Sequence, residues 1–131
     1  MTRSLAISTT FLATLLLAAC AVPYNLRIRV SDDAVVALKP GQTALLTNQG
    51  SLRYVRLVTD SRCAPDVQCI WAGDAVIALH WMPASGKSTD LELHSNPASG
   101  PNHADLDGRR ITFTFLSRQA AEASFQVTIS P

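Results

Sequence analysis

Apolar side chains return at every second position through most of this chain. Nowhere do they keep a helical spacing for three turns, and this pattern constrains the fold to sheet. Successive side chains of an extended strand point to opposite faces, so a strand with one buried face shows period two. Leu52, Tyr54 and Val58 fall on one face of a strand, with Val55 and Leu57 on the other. Val76 and Ala78 oppose Ile77, Leu79 and Trp81. Ile111, Phe113 and Phe115 alternate with threonines, and Phe125, Val127 and Ile129 alternate with Gln126, Thr128 and Ser130. Further strands are predicted over 25–30, 34–38, 42–46 and 89–93, which makes about seven or eight short strands.

The joints between these runs carry turn chemistry. Pro40-Gly41 suits a type II turn, Ser85-Gly86 a hairpin, and Asp107-Gly108 a type I′ turn that requires positive φ. Strands joined in this way are antiparallel. The expected fold is therefore all-β, an antiparallel two-sheet sandwich of immunoglobulin-like architecture, with a barrel as the alternative. Residues 96–102, with two prolines and a glycine, read as an exposed loop, and 117–123 as one helical turn favoured by Gln119-Ala120-Ala121-Glu122-Ala123.

The first residues follow a different logic. Arg3 precedes a mostly apolar stretch over 5–19, with a polar patch at Ser8, Thr9 and Thr10, and no acidic residue occurs before Asp32. This charge-then-apolar order is that of an export signal. The main apolar run, 11–19, is shorter than the roughly 20 residues of a membrane-spanning helix, and it ends in small residues. Those residues, Leu17-Ala18-Ala19-Cys20, resemble the lipobox of bacterial lipoprotein signal peptides. The resemblance implies lipid on the Cys20 thiol, cleavage just before it and acylation of the new amino group. It divides the chain into a signal peptide (1–19), a lipidated tether (20–25) and one β domain (26–131). The alternative is ordinary cleavage after the small residues at 18–21, which leaves a soluble secreted protein with an odd cysteine. Ala21 stands where an Asp marks inner-membrane retention among Gram-negative lipoproteins, so the resemblance implies an outer-membrane anchor facing the periplasm.

Removing 19 of the 131 residues leaves 112, the length of one domain able to bury about two-thirds of its unfolded surface. Arg3 is the only charged side chain to leave with the signal. Of eleven Lys and Arg against ten Asp and Glu, ten of each then remain, with no run of one sign, and nothing asks for nucleic acid. Once Cys20 is assigned to lipid, Cys63 and Cys69 are left as a pair, which an oxidising compartment turns into a disulfide. Closing so small a loop stabilises by roughly 2.4 kcal/mol on the chain-entropy account. Five residues separate the two cysteines, whereas a redox Cys-x-x-Cys site has two.

The most specific segment surrounds that pair: Asp60-Ser61-Arg62-Cys63-Ala64-Pro65-Asp66-Val67-Gln68-Cys69-Ile70-Trp71-Ala72-Gly73-Asp74-Ala75. It resembles a motif of a group of small secreted bacterial proteins and lipoproteins, Asp-Ser-Arg-Cys-Pro, three variable residues, Cys-Val-Trp-Ala-Gly, an acid and Ala. Leu38-Lys39-Pro40-Gly41-Gln42 resembles the Gly-Gln hairpin that often precedes it. Here proline follows Ala64 instead of the first cysteine, which moves the corner by one residue. The resemblance implies a fold and a compartment and no reaction.

In this reading the cysteines end one strand and begin the next, with Pro65 and Asp66 at the corner. Trp71, two residues past Cys69 on the same face, is expected to cover the sulfurs as a core plug; exposed, it would be a ligand platform. Asp60, Arg62, Asp66, Trp71 and Asp74 form the candidate binding surface, with Arg62 able to pair with any of the three carboxylates. Asp60 and Ser61 are expected to hold loop amides, since no histidine lies in the segment to activate Ser61 as a nucleophile. His80, His94, His103 with Asp105 and Asp107, and Asp32-Asp33 have no metal-ligand spacing of their own, so no metal or cofactor is assigned. Asp105-Leu106-Asp107-Gly108 lacks the third acid and closing Glu of a calcium loop.

The chain is expected to be a membrane-anchored, non-catalytic envelope protein that binds a protein or glycan partner or plays a structural role. The alternatives are an inhibitor of an envelope hydrolase, lysozyme or a protease, presenting the 63–69 loop, and a metal carrier or enzyme.

Overall fold

The structure, a computed structural model, describes residues 27–131; the leader, Cys20 and the start of the strand predicted over 25–30 lie outside the described residues. Nine strands follow in order: β1 (Arg27–Val30), β2 (Val35–Leu38), β3 (Thr43–Leu46), β4 (Ser51–Asp60), β5 (Ala75–Met82), β6 (Thr89–His94), β7 (His103–Leu106), β8 (Arg109–Leu116) and β9 (Ala123–Ile129). They form two sheets, β1-β3-β4-β5-β6 and β2-β9-β8-β7, both open at their edges, so the molecule is a sandwich and not a barrel. The strand beyond the predicted count is β7, to which only Ala104 and Leu106 give apolar character. The Asp107-Gly108 turn (φ 48° and 78°) folds it onto β8 in the type I′ manner.

One pairing departs from the antiparallel expectation, since β1 runs parallel to β3. The chain leaves β1 for β2 in the other sheet and returns through the Lys39–Gln42 turn to β3. Two changes of sheet restore the original direction. In that turn the Lys39 carbonyl accepts from Gln42 N at 3.0 Å and Gly41 has φ 88°, as type II geometry requires.

The core lies between the sheets and is made by the alternating residues, with Leu52, Tyr54, Ala75, Ile77, Leu79, Trp81, Ile111, Phe113, Phe125 and Val127 all buried. Three positions depart from strict alternation. A bulge between Tyr54 and Arg56 shifts the face of β4, so Leu57, not Val58, packs against the core opposite Ile77. A second bulge between Phe113 and Phe115 turns Phe115 outward and puts Leu116 inside. Ile129, at the end of β9, is also exposed. Tyr54 packs edge-on against Phe125 (centroids 6.4 Å, 72°), and its hydroxyl has no hydrogen-bond partner among the described residues; burial pushes its pKa up. Residues 117–122 form no helix: Ser117 N donates to Glu122 O at 2.8 Å, closing a hairpin turn, and Ala123 already belongs to β9.

Candidate functional site

The register sorts the connections to two ends of the sandwich. Residues 31–34, 47–50, 83–88 and 107–108 form short turns at one end. Residues 39–42, 61–74, 95–102 and 117–122 lie at the other, where Asp60 pairs with Ala75, Val76 with His94, and Leu38 and Leu116 with Ala123. The segment 61–74, the longest of these, carries the motif singled out in the sequence.

Its base is a polar clamp. Ser61 N and Oγ both donate to Asp74 O (2.7 and 3.0 Å), and Asp74 N donates back to Ser61 Oγ (3.1 Å). These bonds draw the two limbs so close that a Cβ on Gly73 would stand 2.2 Å from Ser61 O, and Gly73 has φ 66°, so only glycine fits. On one side the Arg62 guanidinium forks onto Asp60 (Nε 2.8 Å, Nη2 2.7 Å) and donates Nη1 to Leu116 O (2.8 Å), tying the loop to β8 of the other sheet. Arg118 reinforces this by donating to the carbonyls of Arg62 and Cys63. The hydrogen bond from Arg62 holds the Asp60 carboxyl below its usual range and raises the Arg62 guanidinium in turn. On the other side the Asp74 carboxylate accepts from Asn96 N (2.9 Å) and Ser95 Oγ (3.1 Å) and lies 2.6 Å from His94 Nδ1. Burial alone would raise the Asp74 pKa; the hydrogen bonds from Asn96, His94 and Ser95 outweigh it and leave the carboxyl below its usual range.

Beyond the clamp, Cys63 and Cys69 form a disulfide. Neither cysteine ends a strand as expected: β4 stops at Asp60 and β5 begins at Ala75, because the Ser61–Asp74 bonds already close the ladder. The expectation for Trp71 also fails. Its side chain is 82% exposed and covers no core; the tryptophan in the core is Trp81, at 3%. The space beside the loop base is open and lined by Arg62, Ser95, Asn96 and Arg118 with only small apolar groups, so it offers no apolar hole for Trp71. Ile70 (94%) and Val67 (58%) are exposed with it, so the segment beyond the clamp presents three apolar side chains to solvent.

The five candidate residues thus separate. Asp60, Arg62 and Asp74 belong to the clamp, while Asp66 and Trp71 are exposed beyond it. Sequence reasoning missed Val67 and Ile70 as surface residues, and Ser95 and Asn96 as members of the clamp. The adjacent pair Ile70-Trp71 was a usable signal, because neighbours on an extended chain cannot both face one core.

The hydroxyl of Ser61 is committed to the Asp74 backbone, so it makes no hydrogen bond to a base. The three histidines stand apart, on Asp90, Asp74 and Asn102 respectively. Among the described residues no three His, Cys, Asp or Glu side chains are grouped to hold a metal ion. Compared with protein-family models, curated proteins and solved structures, the chain matches none.

Proposed function

We propose that this protein is a lipid-anchored, non-catalytic component of the bacterial envelope whose stapled loop is its binding element. The lipobox-like Leu17-Ala18-Ala19-Cys20 supports the anchor, and a disulfide between Cys63 and Cys69 fits a chain that leaves the reducing cytosol. The observation that carries the binding role is the exposure of Val67, Ile70 and Trp71 on a segment fixed by covalent and polar bonds at its base. A loop held in one conformation loses little entropy on binding, and exposed aromatics on such a frame are the anchors that interfaces use.

The test is a photo-crosslinking amino acid in place of Trp71 in intact cells, with the same residue in place of Val35 in the other sheet as control. An adduct specific to position 71 is expected; equal or absent labelling would remove the loop as the binding element. For the anchor, Cys20→Ser should abolish lipid labelling and release the protein from the membrane fraction, and an unchanged distribution would refute it.

The same rigid, exposed loop favours a second reading, insertion into the cleft of an envelope hydrolase. A panel of lysozymes and proteases left fully active at high micromolar protein would dismiss it.

A further inference from the structure

We propose that Val67, Ile70 and Trp71 dock on the phospholipid bilayer that holds the lipid anchor, so that the protein meets the membrane at two points and stands loop-end down. The inference rests on the reading of Cys20 as the lipidated residue and names the partner of the loop.

The direction of the chain is the first ground. Arg27 pairs with Thr43, Thr43 with Arg53, and Arg53 with His80. Because β1 parallels β3 and opposes the sense in which β4 runs, β1 begins, at Arg27, on its side nearer the 61–74 end. Length is the second. From the His80 level to the Ala75 level is five residues of β5, or about 17 Å at the usual strand rise. From Cys20 to Arg27 is seven residues, which reach roughly 23–25 Å when extended. A lipid on Cys20 can therefore lie level with the loop, a few ångströms beyond its base.

Chemistry is the third ground. The tether residues Ala21-Val22-Pro23-Tyr24-Asn25-Leu26 carry no charge, so nothing in them resists lying against a bilayer. Tryptophan is enriched at the membrane interface, where its ring meets the acyl chains while the indole N–H stays hydrated, and Ile70 and Val67 add apolar surface beside it. Asp66, exposed in the same stapled ring, limits the depth to the headgroup level. The charged side chains around this end, Lys39, Arg62 and Arg118 against Asp60, Asp66, Asp74 and Glu122, leave no positive excess, so docking draws on apolar insertion rather than on anionic lipid. Since the anchor already confines the loop near the surface, weak intrinsic affinity is enough. The loop sets orientation while the acyl chains hold the protein.

The protein contains its own control, because Trp81 is buried at the far end and donates Nε1 to Asp107 Oδ2 at 3.0 Å. The mature lipidated protein would be reconstituted in phosphatidylethanolamine–phosphatidylglycerol vesicles doped with a lipid brominated on its acyl chains. The expected result is a blue-shifted, bromine-quenched emission component that Trp71→Phe removes, beside an unquenched component from Trp81, both indifferent to salt. Ile70→Ser with Val67→Ser, which leaves Trp71 as the probe, should reverse the blue shift. If the protein is lipidated and vesicle-bound yet Trp71 is unquenched, the docking proposal is overturned and the anchor stands. A position-71 crosslink to an envelope protein, with Trp71 unquenched, assigns the loop to that protein. If Cys20 carries no lipid, the anchor reading fails and the docking proposal falls with it.

Discussion

The two ends of the sandwich each carry a tryptophan and use it in opposite ways. At the turn end Trp81 is buried between the sheets, its indole bonded to the tip of the β7–β8 hairpin, and Arg109 forks onto Asp32 across the sheets (Nε 2.5 Å, Nη2 3.1 Å). There the polar contacts seal an apolar plug. At the loop end a clamp of comparable bonds, centred on Asp60, Ser61, Arg62 and Asp74, replaces the plug and leaves Trp71 outside. Apolar side chains are buried at both ends, and the difference lies in what the polar contacts hold above them: at one end a buried tryptophan, at the other a loop whose apolar side chains stay free.

The strongest attempt to break this comparison is to truncate both rings. Trp81→Ala should cost about 3–5 kcal/mol, the range for a large aromatic removed from a packed core. Trp71→Ala should stay within about 0.5 kcal/mol, as expected of an exposed position. Urea unfolding of the two variants measures both. Equal costs would mean that the ends do not differ and that Trp71 is folded into the core after all.

The staple gives a middle-sized effect. Replacing Cys63 and Cys69 together by serine should lower stability by roughly 2.4 kcal/mol, the loop-closure value for so short a ring. In urea unfolding a substantially larger loss would show that the 63–69 ring supports the core and is not merely held beyond the clamp.

The sheet framework was legible in the sequence because alternation and turn chemistry are local. Asp107-Gly108, Pro40-Gly41 and the Ile77-Leu79-Trp81 series led directly to the observed turns and core. The places that escaped depend on distant partners. Two bulges exchanged Val58 for Leu57 and Phe115 for Leu116, and no residue near them marks a bulge, since the extra residue is set by the strand opposite. Trp71 was misplaced for a related reason. Its same-face spacing from Cys69 holds only on an extended strand, and 61–74 forms none, its base being held instead by bonds of Asp74 to Ser95 and Asn96, some twenty residues later in the chain.

That bonding supplies the smallest and most discriminating test. Asp74→Asn keeps the shape of the side chain but removes the charge that Asn96 N, Ser95 Oγ and His94 face, and should cost about 1 kcal/mol at neutral pH. The sign of its pH dependence follows from linkage. The folded carboxyl has a pKa below that of the unfolded chain, near 3.9, so its contribution is complete above that value and is lost as pH falls through the folded value. The gap between the native protein and Asp74→Asn should therefore be full at pH 5 and shrink as the pH falls below the unfolded value. Both proteins will still weaken in acid, because Asp60 is held low by Arg62, and Asp105 is held at about 2 by Arg110 and Ser130. It is the difference between the two acid-unfolding curves that isolates the clamp. If that difference did not shrink as the pH fell, the negative charge of Asp74 would not be what holds the clamp, and the loop end would be closed by other contacts.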